Sequence, residues 1–279
     1  MLKNLKEIMQ TAVNNNNAIG CFNTPNLESL MAVLQAAEAQ NVPVIISHAE
    51  LHEPIMPLDV IGPIMVDMAK KSKVPVCVHL DHGECLDYLH RSLEIGFTSI
   101  MYDGSTLPFE ENITNTKKAV QMAQKYSASV EAELGTIGGR EEGDGKQDDT
   151  SNMYTNPQQA KQFVEETKID ALACSFGTAH GFYTQKPVLD INRIKEISQL
   201  TKLPLVMHGG SGVSPEDYKK SIQNGIRKIN YYSYMSLAGV KGVQSFLEST
   251  NVQYFHDIAF EAVKSMEEDV LKAIDLFYK

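Results

Sequence analysis

The stretch Val76-Cys77-Val78-His79-Leu80-Asp81-His82-Gly83 reads as a buried strand that ends in an acid, an imidazole and a glycine. Two later apolar runs end in a similar way, one before His180 and the other before His208, and a glycine follows each histidine. The carboxyl ends of parallel strands meet at one edge, so these three histidines are expected to face one point. Imidazole nitrogens bind divalent metal ions, and the pattern therefore predicts a metal site at one end of a parallel α/β fold.

Apolar runs alternate with helical patterns along the whole chain. Eight runs read as strands, at residues 18–23, 42–49, 74–81, 99–103, 129–135, 171–177, 203–209 and 227–233. Helical periods are predicted at residues 1–9, 27–40, 58–71, 109–126, 157–167, 190–200, 215–224 and 254–277. Eight such units in 279 residues favour one (β/α)8 TIM barrel, a single domain over residues 1–279. The alternative is a doubly wound sheet, which is weakened because no strand leads into a GxGxxG turn.

The composition limits the classes of partner. The formal net charge is −10, which argues against nucleic acid and against an anionic membrane surface. No run of about 18 apolar residues occurs, and the N-terminus lacks the pattern of a signal peptide. The four cysteines form no CxxC pair and lie on or near apolar strands, as is typical of buried reduced thiols. We therefore expect a cytoplasmic protein that binds neither membranes nor nucleic acids.

His82, His180 and His208 together suit a catalytic Zn²⁺ site, because three nitrogen ligands leave one position open for substrate. Any one of them alone would be more typical of a core histidine. Asp81 can share the pocket with His82 only if the strand has ended there, which Gly83 would permit. Asp81 would then suit proton transfer beside a polarised carbonyl, and a helix cap is the alternative.

Three further carboxylates lie on or at the end of strands near the predicted metal site. Glu131 and Glu133 alternate on the fifth strand, and Asp103 ends the fourth. They could orient the metal-binding imidazoles or offer an alternate metal position. Salt bridges inside the barrel are the structural alternative.

A glycine-rich turn, Gly209-Gly210-Ser211-Gly212, follows the seventh strand and precedes a helix at Pro215. Barrels commonly bind phosphate after strands seven and eight, and Asn230 and Ser233 could complete such a site. A plain tight turn is the alternative. The long acidic loop at residues 136–150 reads as a mobile lid at the mouth of the barrel, or as an ordinary surface loop.

Taken together, these motifs resemble those of the class II, metal-dependent ketose-bisphosphate aldolases, most closely the tagatose- and fructose-bisphosphate group. The resemblance runs from the first strand to the eighth and rests on four motifs in order: HLDHG at 79–83, EAELG at 131–135, GTAHG at 177–181 and HGGSG at 208–212. It implies a TIM barrel with zinc on His82, His180 and His208.

The resemblance also implies roles for further residues. Asp81 would be the acid–base group at the aldehyde oxygen, Glu141 on the lid would be the enolising base, and Asp103 with Glu133 would hold the metal in its alternate position. The triose phosphate and a monovalent cation, Na⁺ or K⁺, would bind at Gly181, Gly209, Gly210, Ser211, Asn230 and Ser233, with Asn23 also contacting substrate. The implied reaction cleaves or forms a ketose phosphate through the enediolate of dihydroxyacetone phosphate. A dimer or tetramer is also implied, with the C-terminal helix as a contact through Ile258, Val263, Met266, Val270, Leu271 and Ile274.

The sequence departs from the family pattern at the end that would hold the aldehyde. Tyr231-Tyr232-Ser233 follows Asn230 where relatives carry small and acidic residues and a threonine, and the last arginine of the chain is Arg227. We therefore expect an aldehyde that is shorter or lacks a second phosphate, with His48 and His52 lining its pocket or serving as ordinary loop residues.

Three other activities are less consistent with the sequence. A zinc hydrolase of barrel fold usually opens with a His-x-His pair, which the first strand lacks. A non-catalytic sugar-phosphate-binding relative would have no use for Asp81 and Glu141. A Schiff-base aldolase needs a lysine on a barrel strand, and the sixth strand carries none.

Overall fold

The computed structural model describes residues 1–137 and 154–278. Its strands are β1 (Leu2–Lys3), β2 (Ile19–Asn23), β3 (Val44–Ala49), β4 (Val76–Gly83), β5 (Ser99–Tyr102), β6 (Ser129–Leu134), β7 (Ala171–Cys174), β8 (Leu205–Met207) and β9 (Ile226–Tyr231). Its helices are α1 (Leu5–Asn15), α2 (Leu27–Gln40), α3 (Leu58–Lys71), α4 (Leu86–Ile95), α5 (Phe109–Gln124), α6 (Pro157–Thr167), α7 (Ile191–Thr201), α8 (Pro215–Gln223), α9 (Ser233–Ser249) and α10 (Phe255–Tyr278). A short 3₁₀ turn covers Glu50–His52.

Strands β2 to β9 form a closed parallel barrel. Each pairs with the next along the chain, and β9 pairs back with β2, where Cys21 lies opposite Asn230. Helices follow the strands and cover the outside of the barrel. The predicted (β/α)8 TIM barrel and all eight predicted strands are confirmed.

The N-terminus differs from the prediction of one helix at residues 1–9. Leu2–Lys3 instead adds a short parallel strand to β4, and α1 begins at Leu5 after an Asn4 cap with Glu7 in a capping box. The apolar face of α1 closes the amino-terminal end of the barrel, where it packs against residues from six of the strands: Ile19, Cys21, Ile45, Cys77, Met101, Ala171, Ala173 and Val206. The apolar periodicity of this face explains why the sequence predicts a helix that begins at residue 1.

Three other predictions need correction. The helices α4 and α9 were not predicted, and the last strand ends at Tyr231, so Ser233 begins α9 instead of ending a strand. Cys21, Cys77 and Cys174 are buried free thiols as expected, but Cys85 is exposed at the start of α4. Within the described residues, no helix is long and apolar enough to cross a membrane.

Side chains alternate along each strand between the barrel interior and the helix layer. On β4, Val76, Val78 and Leu80 pack outward against the helices, whereas His79 and Asp81 point inward. The interior is apolar only near α1. Its middle and its carboxyl end are filled by polar and charged side chains, which places the chemistry at the mouth.

Candidate active site

The end of β4 brings two consecutive side chains into the barrel mouth. The strand continues through Gly83, contrary to the expectation that it stops at Asp81. His82 itself has φ +45°, and the register with β5 shifts between Leu80 and Gly83. A left-handed residue in a bulge re-aims its side chain, so Asp81 and His82 both face the pocket.

The rings of His82, His180 and His208 meet at this mouth. One ligand atom from each lies within 4.8 Å of the other two. The centroid of the His82 ring is 5.0 Å from that of His180 and 4.5 Å from that of His208. Three strand ends that are far apart in sequence thus bring three potential ligands to one point, as the sequence predicts.

Neighbouring carboxylates orient two of these rings. Asp103 Oδ2 lies 2.7 Å from His82 Nδ1, and Glu131 Oε1 lies 2.9 Å from His208 Nε2. An ionised carboxylate only accepts hydrogen bonds, so each of these ring nitrogens carries the proton. The other nitrogens, His82 Nε2 and His208 Nδ1, face each other across 2.8 Å. Burial would lower the pKa of His82, but Asp81, Asp103 and Glu133 raise it to about 10, so a cation is favoured at this ring. Two imidazole nitrogens that face one point beside carboxylates fit a divalent metal ion, which would replace the proton of His82.

A second group of possible ligands, His82, Asp103 and Glu133, shares His82 with the first. Glu133 is buried, and its Oε2 atom forms no hydrogen bond with the residues that the structure describes. Burial and the neighbouring Asp103 carboxylate hold the pKa of Glu133 well above its ordinary range. A cation bound beside Glu133 would have the opposite effect: it would lower this pKa and favour the ionised carboxylate.

Asp81 is held by two amides. Asn23 Nδ2 donates to Asp81 Oδ2 at 3.0 Å, and Asn230 Nδ2 donates to Asp81 Oδ1 at 3.1 Å. Burial alone would raise the pKa of Asp81, but His82 and Lys228 outweigh it and hold that pKa well below its ordinary range. The helix-cap alternative for Asp81 is therefore not supported, since Cys85 precedes α4.

Two residues of the site, Lys228 and His79, were missed as functional candidates from the sequence. Lys228 lies inside the barrel on β9 with none of its surface exposed, and Lys228 Nζ donates to Glu131 Oε2 at 2.8 Å. The same nitrogen lies 3.3 Å from His79 Nε2. The available signal was a lysine in the middle of a predicted barrel strand, two residues before Asn230 and therefore on the same face of the strand.

Lys228 also corrects the argument against a Schiff-base aldolase. The sixth strand of the barrel carries no lysine, but the eighth carries Lys228. Burial would lower the pKa of Lys228, but Cys21, Glu131 and Asp81 together raise it above its ordinary value. A fully buried, ion-paired ammonium is a poor nucleophile, so the rejection of Schiff-base chemistry rests on the environment of Lys228.

A cavity opens beside Asp81 and His180. Its remaining lining comes from Asn23, Gly181, Gly209, Ser211, Asn230, Tyr231, Tyr232 and Ser233. All the predicted substrate-binding residues except Gly210 therefore line this cavity. The N–H of Gly210 instead donates to the carbonyl of Asn230 at 3.0 Å, which ties the turn to β9.

The sequence predicts that the helix after the glycine-rich turn begins at this cavity, but a different helix does. The glycine-rich turn leads into α8 at Pro215, but no residue of α8 lines the cavity. Ser233, the first residue of α9, does. Backbone N–H groups at the start of this helix are oriented to bind an anion there.

His48 does not line the cavity. It is buried on the outer face of β3, and its Nε2 lies 3.1 Å from the Tyr88 hydroxyl on α4. The His52 ring centroid lies 5.5 Å from that of Tyr232, one layer behind the cavity wall. Glu141, the predicted enolising base, lies outside the described residues, as does most of the predicted lid.

The known proteins that this chain resembles include fructose-bisphosphate aldolases. A family model described as class-II fructose-bisphosphate aldolase matches residues 3–279. A fructose-bisphosphate aldolase of Staphylococcus aureus is 37% identical over 97% of this chain and 96% of its own length. A probable fructose-bisphosphate aldolase of Bacillus subtilis is 39% identical over 91% of this chain and 89% of its own length.

Solved structures agree. The crystal structure of the YdjI aldolase from Escherichia coli K12 matches with a TM-score of 0.89 and 36% identity, covering 99% of this chain and 97% of that one. The class II family is zinc-dependent in general, and aldolase activity prevails over the hydrolase and the non-catalytic alternatives. The chain therefore belongs to the class-II fructose-bisphosphate aldolase family, and it is an aldolase.

Proposed function

We propose that this aldolase joins dihydroxyacetone phosphate to an aldehyde, and cleaves the product, at the mouth formed by His82, His180 and His208. The observation that carries the proposal is the convergence of these three rings within 4.8 Å, beside a cavity that contains Asp81. Zn²⁺ would be held by the three imidazoles, with Asp103 and Glu133 as its alternate ligands. When bound, the ion supplies a Lewis acid that polarises a carbonyl oxygen and lowers the pKa of the adjacent C–H group.

Asp81 would move the proton at the aldehyde oxygen. In the cleavage direction, its ionised carboxylate takes the hydroxyl proton as the carbon–carbon bond breaks and the aldehyde forms. In synthesis, the same proton returns to the new hydroxyl oxygen. The low pKa of Asp81 favours the base form, and the amides of Asn23 and Asn230 hold both of its oxygens in place. Glu141 stays the predicted base for the dihydroxyacetone phosphate C–H.

The phosphate would bind at the opposite side of the cavity. Gly181, Gly209 and Ser211 line it together with Ser233 at the N-terminus of α9. Backbone N–H groups and hydroxyls at a helix start neutralise a phosphate without a lysine or arginine. A monovalent cation, Na⁺ or K⁺, is proposed at the same place, where the buried Asn230 Oδ1 lacks a hydrogen bond among the described residues.

We further propose that the aldehyde carries no second phosphate. Tyr232 lines both the catalytic cavity and a neighbouring groove, whose apolar walls include Met235, Val240 and Met266. Among the described residues that line either space, none is a lysine or arginine. The start of α2, which also lines the groove, is already capped by the Asn26 side chain, which accepts from Ser29 N–H at 3.1 Å, whereas the start of α9 has no side-chain cap. A phosphorylated tail would therefore be desolvated in the groove without a counter-charge.

The deciding experiment measures aldol synthesis from dihydroxyacetone phosphate with glyceraldehyde and with glyceraldehyde 3-phosphate, before and after treatment with a chelator. We expect zinc-dependent activity, and a higher kcat/KM for the unphosphorylated aldehyde. Zinc-dependent exchange of the dihydroxyacetone phosphate C–H proton with solvent, followed by proton NMR, tests the first half of the reaction alone. Absence of that exchange in zinc-loaded protein would contradict the proposed reaction, and preference for the phosphorylated aldehyde would contradict only the substrate assignment.

A homo-oligomer, dimer or tetramer, is also proposed, but through different residues from those first expected. Val263, Met266, Val270 and Ile274 of α10 are buried within their own chain, whereas Ile258 and Leu271 are half-buried. The exposed apolar side chains of this region include Val240, Leu247, Phe255 and Phe260. Light scattering of the F255S/F260S variant should show loss of the oligomer, and an unchanged mass would exclude this surface. The cytoplasmic location remains a prediction from the sequence.

A further inference from the structure

The barrel interior contains a charged layer directly below the three imidazoles. Lys228 and Glu131 lie there with none of their surface exposed, and the N–O distance between them is 2.8 Å. His79 completes the layer, with Nε2 3.3 Å from Lys228 Nζ and Nδ1 2.8 Å from the Ser99 hydroxyl. The proposed proton transfers use none of these groups, although burying an ion pair is costly.

The contacts of Glu131 connect this layer to the proposed metal ligands. Its Oε2 atom accepts from Lys228, and its Oε1 atom accepts from His208 Nε2 at 2.9 Å. One carboxylate therefore fixes the His208 ring with Nδ1 facing His82. Among the described residues, Lys228 is the only lysine or arginine that forms an ion pair with Glu131.

We propose that Lys228 is a positioning residue: through its ion pair with Glu131 it holds His208 in the tautomer and orientation that bind the metal. This inference rests on the proposed function, because it takes His208 as a zinc ligand. Without the ammonium, the buried Glu131 carboxylate loses its counter-charge and no longer has one fixed position. His208 then loses the acceptor that keeps its proton on Nε2.

The first experiment measures zinc affinity, which does not depend on turnover. The Lys228→Met variant keeps the length of the side chain and removes its charge. The Lys117→Met variant removes an exposed lysine that pairs with Glu166 at 2.9 Å, and serves as the matched control. Competition with a fluorescent zinc chelator should show affinity about 10- to 100-fold weaker for K228M, the range for loss of a group that orients a ligand. K117M should bind zinc like the wild type.

The second experiment tests whether Lys228 acts through Glu131. Zinc affinity is measured for K228M, E131Q and the double variant K228M/E131Q. Residues that work as one unit give losses that do not multiply, so we expect the double variant to bind zinc within about tenfold of the better single variant. The double variant removes both charges of the ion pair, so it can fold even if K228M does not. In that case, a folded double variant with zinc affinity within about tenfold of the wild type supports the proposal. Long-range proton–nitrogen NMR of the histidine rings should show the His208 proton leaving Nε2 in K228M.

Three results would overturn the inference. The first is a folded K228M protein with wild-type zinc affinity, and the second is a pair of single losses that simply multiply. The third is a folded double variant that binds no zinc. A wild-type protein that binds no zinc would instead refute the proposed function, and the inference with it.

Discussion

Gly209 sets the distance between two of the proposed zinc ligands. It follows His208, has φ +61°, and packs against the backbone of Ala179, the residue before His180. A Cβ atom added at Gly209 would lie 2.2 Å from the Ala179 carbonyl oxygen, where ordinary contact begins at 3.4 Å. The Tyr183 hydroxyl fastens the same two segments, since it accepts from Ala179 N–H at 2.9 Å and donates to the Gly209 carbonyl at 2.7 Å.

Gly209→Ala should therefore separate His180 from His208. Relief of the overlap requires a movement of about 1 Å, which is enough to lower kcat/KM by about 100-fold, or about 2.7 kcal/mol in transition-state free energy. The left-handed φ adds about 1 kcal/mol of strain to the folded state. Steady-state kinetics of aldol cleavage and zinc content per chain measure both parts.

Gly96→Ala is the matched control. Gly96 also has a positive φ, +108°, but the nearest atom to its added Cβ is Val66 Cγ1 at 3.5 Å. It ends α4, far from the mouth, so G96A should lose a similar amount of stability and keep its activity. If G209A retained kcat/KM within threefold of the wild type, the close approach of the two segments would not govern the ligand geometry.

Three further predictions follow from the site and from the helix layer. Asp81→Asn should lower kcat by about 10²- to 10⁴-fold with little change in zinc content, and normal turnover in that variant would remove Asp81 from the proton transfer. Ser211→Ala should raise KM for dihydroxyacetone phosphate about tenfold while kcat changes little, since one phosphate hydrogen bond is lost; an unchanged KM would move the phosphate elsewhere. Burial, together with neighbouring His52, lowers the pKa of His48 to about 4. Because the folded state favours neutral His48, its contribution to stability is complete above pH 6.5 and is lost as the pH falls towards 4, by about 3 kcal/mol in total. Urea unfolding at pH 5 and pH 7.5 should show a smaller difference for His48→Asn than for the wild type, and sugar specificity should not change.

The barrel could be predicted because its strands obey a simple rule. Residues that face the helix layer, such as Val76, Val78 and Leu80, must be apolar, and glycines mark where strands give way to loops. Helix α9 escaped this rule because the run Asn230-Tyr231-Tyr232-Ser233 has the β propensity of a strand, yet Ser233 already begins the helix. Propensity was here overridden by the packing of α9 on α10.

The members of the proposed metal site could also be predicted, but the backbone geometry behind them could not. The histidine–glycine pairs at strand ends identified His82, His180 and His208. Asp81 and His82 share one pocket because His82 is left-handed and lies in a bulge, a conformation that is uncommon for any residue other than glycine. The outward direction of His48 follows from register with its neighbours, where Leu80 on β4 lies opposite it and also faces the helices.

The position of Lys228 inside the barrel could not be predicted from its own strand alone. A lysine on a strand suggests an edge or a solvent-facing position, and only closure of the barrel brings it to Glu131, 97 residues away in sequence. The interior charges then have a common logic. Asp81, Asp103 and Glu131 all have pKa values lowered by their partners, and Lys228 is the interior lysine that opposes them. Three carboxylates and one ammonium leave two negative charges in a low-dielectric space; burial would lower the pKa of His82, but neighbouring carboxylates such as Asp81 and Asp103 raise it to about 10. One divalent cation at the three imidazoles balances that charge, so the residues that make the barrel interior costly to bury are the same ones that make it bind metal.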